Sequence, residues 1–131
     1  MSTEPVLFPQ LAVVNLAAEG GASTSAYRNV VVNRVNESCL RLSTFEGNYP
    51  WHFHPDSDEL FVVVDGQLAI DFADGSTLRL GPWDMVTVPA RTVHRTRALP
   101  RAVNLCVEHF GAETTFVDAP IASSESGGVG G

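Results

Sequence analysis

From Asn29 to His109 the chain is punctuated at short, regular intervals by turn residues, and this constrains its fold more than any other feature. Runs rich in Val, Ile, Thr, Phe and Leu are separated by Asn36-Glu37, Gly47-Asn48, Asp65-Gly66, Asp74-Gly75, Gly81-Pro82 and Leu99-Pro100. Turn chemistry of this kind forbids long helices and bounds strands. The expected strands are Asn29 to Val35, Ser38 to Phe45, Trp51 to His54, Glu59 to Val64, Gln67 to Phe72, Thr77 to Leu80, Met85 to Val88, Val93 to Arg97 and Ala102 to His109. Asp65-Gly66 and Asp74-Gly75 are expected as hairpin turns, because Gly readily supplies the positive φ that such turns require. Nine short strands suit an all-β barrel or sandwich.

The flanks read differently. Residues 1–26 show no sustained period and are expected as a partly ordered arm, with a short strand or helical turn near Leu11 to Leu16. Residues 27–118 form the expected barrel domain. Residues 119–131, dominated towards the end by Ser, Gly and Ala, are expected as a flexible tail. A chain of 131 residues has room for one core. The opening residues lack the basic and apolar regions of a signal peptide, and no apolar run is long enough to span a membrane. A cytoplasmic location is the expectation. A net charge of −7 opposes nucleic acid as a partner. Cys39 and Cys106 are too few for a disulfide framework and are expected as reduced thiols.

Three of the four histidines lie in two short segments. In the first, His52 and His54 are two residues apart on an extended strand and so project from the same face. Glu59 follows a tight turn, Pro55 to Asp58, that folds the next strand back beside them. In the second, which runs Gly81-Pro82-Trp83-Asp84 through Pro89 and Arg91, His94 has to arrive from a strand across the barrel. Three imidazoles and a carboxylate form a donor set for one divalent transition metal (Fe, Mn, Ni, Co, Cu or Zn) rather than calcium. In an octahedral shell, two positions stay open for water, dioxygen or substrate.

The two segments, His52-x-His54-x4-Glu59-x6-Gly66 and Asp84-x4-Pro89-x4-His94, resemble the paired motifs of the cupin superfamily, in particular the small single-domain group related to mannose-6-phosphate isomerase. The resemblance implies a double-stranded β-helix, or jelly-roll, barrel, a metal held by His52, His54, Glu59 and His94, and a homodimer. The segments depart from the pattern in three ways. Four residues rather than five separate Gly47 from His52, Arg91 stands where Gly is common, and Ala98 replaces an Asn. If the Arg91 turn needs positive φ, the substitution costs on the order of 1 kcal/mol.

Other residues have competing readings. Asp56, Asp58 and Asp84 are expected to cap turns through nearby backbone. His109 is expected as a strand-end residue and not a ligand. Phe61 shares parity with Glu59 and can wall a pocket, whereas Trp51 and Phe53 point away from it. Arg41 either anchors an anionic substrate in the barrel or lies solvated outside, and Glu108 and Asn104 pose the same choice. Two functions follow: a metal-dependent enzyme on a small organic molecule, oxygenase ahead of isomerase or lyase, or a non-catalytic module that binds a metal and a small ligand. An ionisable side chain other than the ligands, aimed into the cavity, would favour the enzyme.

Overall fold

The computed structural model describes residues 4–120. A short helix, α1 (Leu16–Gly21), precedes eight strands: β1 (Tyr27–Val35), β2 (Ser38–Asn48), β3 (His52–Phe53), β4 (Glu59–Phe72), β5 (Thr77–Leu80), β6 (Met85–Val88), β7 (His94–His109) and β8 (Thr115–Phe116). All eight belong to one antiparallel sheet, ordered β1-β2-β7-β3-β8, with β4 along the other edge of β7 and β5 and β6 paired to β4. The fold is all-β, as expected. The tail from residue 121 lies outside the described residues.

Two expected turns are not turns. Asp65-Gly66 does not close a hairpin, because β4 runs straight through it for 14 residues. Leu99-Pro100 likewise falls inside β7, which is 16 residues long. The two irregularities face each other. The register runs Gly66↔Ala102 and then Leu68↔Ala98, so three residues of β7 stand opposite the single Gln67. A bulge leaves residues out of the ladder, and this accommodates a proline that has no N–H to donate. Gly66 has φ +77°, and a β-carbon on it would lie 2.1 Å from the Arg101 carbonyl oxygen. Asp74-Gly75, by contrast, does close the β4–β5 hairpin, with Gly75 at φ +90° and its amide donating to Phe72 O.

The bulges also bend the β4–β7 ribbon. In its ladder, Leu60 is paired with Val107 at one end and Phe72 with His94 at the other. Yet Glu59, next to the first end, lies 3.6 Å from His94 at the second. The ribbon is therefore folded on itself at the Gly66 corner, and its two ends meet inside the barrel.

Strand alternation divides the packing into two cores. Phe45, Phe61, Val63, Leu68, Ile70, Leu80, Val88, Ala98, Ala102 and Cys106 fill one cluster. Val32, Leu42, Val64 and Val103 form a smaller one, with Phe8 and Leu16 packed against it. Asn15 caps α1 by accepting from Ala18 N. Gly20 allows the helix to approach so closely that a β-carbon would meet Val103 at 2.4 Å. The expected helical turn thus sits a few residues later than the Leu11 to Leu16 reading placed it. The arm also extends along β1, where Leu7 N and Phe8 N donate to Val31 O and Val32 O. It packs on its own chain.

On the outer face, Asp71 gathers Arg95, Arg97 and Thr77, with Oδ2 at 2.6 Å from Arg97 Nε and 2.8 Å from Arg95 Nε. The Arg97 contact holds its carboxyl well below the usual range. A depressed folded pKa gives stability that is present above the ordinary carboxylate value, about 4, and is lost as pH falls below it. Asp71→Asn should lower unfolding free energy at pH 7 by about 1–2 kcal/mol, with the deficit shrinking as pH falls below ~4. Urea melts at pH 7 and pH 3 check this, and an equal deficit at both would show that the charge is not what stabilises.

Candidate metal centre

His52 and Phe53 make up the two-residue strand β3, and His52 pairs directly with His94 at the start of β7. His54 follows β3, and Glu59 opens β4 after the Pro55–Asp58 turn. That turn is tied down from several sides. Asp58 Oδ1 accepts from Ala90 N, Ser57 Oγ from His109 N, and Asp56 from Glu113 N. Asp56 and Asp58 were expected to bond their own turn; instead they pin it to neighbouring segments, accepting from Glu113 N and Ala90 N. Asp84 does cap its own turn, accepting from Gly81 N. Arg91 adopts φ +65°, the strained conformation its replacement of Gly implied, and its amide donates to His54 O at 2.8 Å.

Within this frame His52, His54, Glu59 and His94 converge, all four buried, with one ligand atom from each lying within 4.8 Å of the others. Each imidazole is oriented through Nδ1: His52 to Pro50 O at 2.7 Å, His54 to Glu113 O at 2.9 Å, His94 to Thr92 O at 2.8 Å. A carbonyl only accepts, so each Nδ1 carries the proton and each Nε2 presents a lone pair to the centre. His54 Nε2 lies 3.0 Å from Glu59 Oε1, out of line for a hydrogen bond, and both atoms, with His94 Nε2, are buried without a partner. Buried polar atoms left unpaired are costly. Lone pairs aimed at one point are satisfied together by a cation, so the donor set and its orphaned atoms fit a divalent metal.

Electrostatics agree. Burial pushes His52 down to about 4. Burial also opposes charge on His54, but the Glu59 carboxylate outweighs it and raises that imidazole. Glu59 is lowered by His54 and His94 against its own burial. Glu59 thus favours positive charge beside His54, the charge that a cation would supply.

A cavity of about 290 Å³ opens beside the cluster. Arg41 and Ser43 of β2 face it, as do Asn104, Cys106 and Glu108 of β7 and Phe61 of β4, which settles the open parity in favour of the interior. Glu108 is 6% exposed, its Oε2 accepts from Arg41 Nε at 2.9 Å, and its Oε1 has no partner. Burial and the nearby Glu59 push its carboxyl up. Asn104 Oδ1 is likewise unpartnered. Among the described residues, every buried side-chain nitrogen or oxygen without a partner thus belongs to the four-residue cluster or to the cavity wall. His109 is exposed at the end of β7 and takes no part in the cluster. Tyr27, Tyr49 and Thr114 line the cavity without having been singled out. Parity with Asn29 would have shown Tyr27, whereas Thr114 comes from beyond β7 and left no local signal. Both cysteines are free and buried.

Comparison with known proteins agrees with this geometry. The family described as the cupin domain matches residues 42–107. The protein YdbB of Bacillus subtilis (strain 168) is 48% identical over 104 residues, covering 79% of this chain and 92% of its own. A cupin-2 domain containing protein from Shewanella frigidimarina superposes with a TM-score of 0.69 at 27% identity, covering 74% of this chain and 94% of its own. Protein NMB1881 from Neisseria meningitidis gives 0.67 at 28% identity, over 75% and 99%. No helix among the described residues is long and apolar enough to cross a membrane.

Proposed function

The chain belongs to the cupin domain family, and on that premise we propose that it is a metal-dependent enzyme acting on a small organic molecule, with oxygenase chemistry ahead of isomerase or lyase chemistry. The observation that carries the reading is the gathering of unpartnered buried atoms: two ring nitrogens and a carboxylate oxygen at the cluster, and Asn104 Oδ1 and Glu108 Oε1 across the cavity. The first three suit a cation, the last two suit donors on a ligand. His52, His54, Glu59 and His94 would hold the ion, whose contribution when bound is Lewis acidity and, for iron, an electron partner for dioxygen.

The remaining tasks fall to the chain's own side chains. Phe61 and Tyr49 wall the space beside the imidazoles, Tyr49 meeting His52 edge-on at 5.1 Å. Asn104 and Glu108 orient the ligand by accepting from its hydroxyl or amine groups. Glu108 is also an ionisable non-ligand group that faces the cavity, which favours an enzyme over a binding module: burial and Glu59 raise its carboxyl, so it holds a proton more tightly than a free carboxylate and can pass one to or from a ligand. Glu108→Gln should therefore lower turnover by about 100-fold or more while leaving metal content unchanged. Equal turnover would remove Glu108 from the chemistry.

The test of the whole reading is elemental analysis of protein purified without a chelating column, followed by oxygen uptake across a panel of small acids and alcohols. About one transition-metal ion per chain with uptake on one substrate supports it. Metal with no turnover would favour the binding module, and no metal after reconstitution would remove the centre altogether. The expected homodimer and cytoplasmic location rest on family membership and composition, and sedimentation and fractionation test them.

A further inference from the structure

Arg41 of β2 lines the cavity, and its guanidinium is engaged by two carboxylates of unlike kind. Glu108 belongs to the wall: its side chain is 4% exposed and it binds Nε from β7. Glu4 belongs to the arm: its side chain is 32% exposed, and its two oxygens meet Nη1 at 3.0 Å and Nη2 at 2.6 Å. The second contact is a fork-on-fork pair, in which arginine holds both oxygens of a carboxylate at once, a match that a neutral amide cannot make. Asn29 Oδ1 accepts from Nη1 as well, at 3.2 Å, and helps hold the guanidinium plane. Among the described residues, the backbone of the arm carrying Glu4 is bonded to β1 through the Leu7 and Phe8 amides and the bridge Val6↔Val31, at the border of the sheet. A segment with so few backbone bonds opens at low free energy compared with a core strand.

We propose that Arg41 is the anion subsite of the cavity and that Glu4 is its resident occupant, so that the ligand is a small organic carboxylate which enters by displacing the arm. This rests on the metal-centre reading for the other end of the ligand. Formal charge supports the exchange. With a divalent ion on Glu59, the set of ion, Glu59, Arg41, Glu108 and Glu4 is neutral, and replacing Glu4 by a monocarboxylate keeps it so. A neutral ligand would leave the guanidinium with one carboxylate fewer in a site where charge is poorly solvated. A cavity of about 290 Å³ admits only a small molecule. The arm then acts as a tethered competitor, lowering the apparent affinity for ligand by the fraction of time Glu4 is in place.

The experiment is isothermal titration of metal-reconstituted, full-length protein with lactate, pyruvate and malonate, and with lactamide as the neutral control. The proteins are wild type, Glu4→Gln, Arg41→Met and Arg41→Lys. Removing the competitor should tighten at least one carboxylate by about tenfold in Glu4→Gln, with no change for lactamide, and both Arg41 variants should lose that gain. Amide exchange at Leu7 and Phe8 in wild type should quicken when that carboxylate is added, which does not depend on any variant folding. Equal carboxylate affinity in wild type and Glu4→Gln, equal tightening of lactamide, or unaltered exchange would each overturn the proposal. Metal content measured on the same samples separates the two readings: full metal without a carboxylate response sinks the subsite alone, and a carboxylate response without metal sinks the metal centre alone.

Discussion

Metal bound to the purified protein should fall from about one equivalent per chain to a small residue when His94 is replaced by alanine. Loss even of an outer hydrogen-bond partner of a ligand lowers metal affinity by roughly 10- to 100-fold, and loss of a ligand lowers it further. His94 is fully buried, pairs with His52 across the ladder and lies 3.6 Å from Glu59. His52→Ala should behave the same way, and His109→Ala, at the exposed end of β7, should bind metal like the wild type. Circular dichroism separates loss of the ligand from loss of the fold. Unchanged metal in folded His94→Ala would mean that the four-residue cluster is not the site.

The second large effect is on stability. Gly66→Ala should destabilise the protein by about 3 kcal/mol or more, because a left-handed backbone costs an L-residue about 1–2 kcal/mol and overpacking adds about 1–3. The new β-carbon would sit 2.1 Å from the Arg101 carbonyl oxygen, which is backbone and cannot swing aside. Thermal midpoints should drop by roughly 10 °C for a domain of this size. Gly75 provides the internal control: its φ is +90° but nothing lies within 4 Å of its β-carbon position. Gly75→Ala should therefore show only the backbone part. If the two variants melt together, the contact at the corner carries no weight.

The contrast between these glycines also explains what the sequence could disclose. Asp65-Gly66 and Asp74-Gly75 are the same dipeptide, and both glycines have positive φ. One sits in a hairpin and the other in a bulge, because positive φ is demanded by both and the choice depends on the partner strand. Leu99-Pro100 misled for the same reason: its place in β7 is tolerated because the register shift opposite Gln67 takes it out of the ladder. Three members of the cluster were legible because their spacing is local, two residues for His52 and His54 and one turn to Glu59, whereas His94 had to come from a second segment. The far wall was not. Alternation puts Arg41 with Ser43 and Glu108 with Asn104, but it does not say which row faces inward, and Glu4 reaches Arg41 from 37 residues away. Asn15 caps α1, but a six-residue helix leaves no period to read in the sequence.

The folded β4–β7 ribbon has a mechanical consequence. Glu59 and His94 belong to opposite ends of it, so an ion held by both would act as a staple across the barrel, much as a disulfide would in a secreted domain of this size. The free cysteines do no such work. Loading the centre should therefore resist opening of the Gly66 corner as well as supply chemistry, and the thermal midpoint should climb with metal concentration in the manner of any ligand that binds only the folded chain.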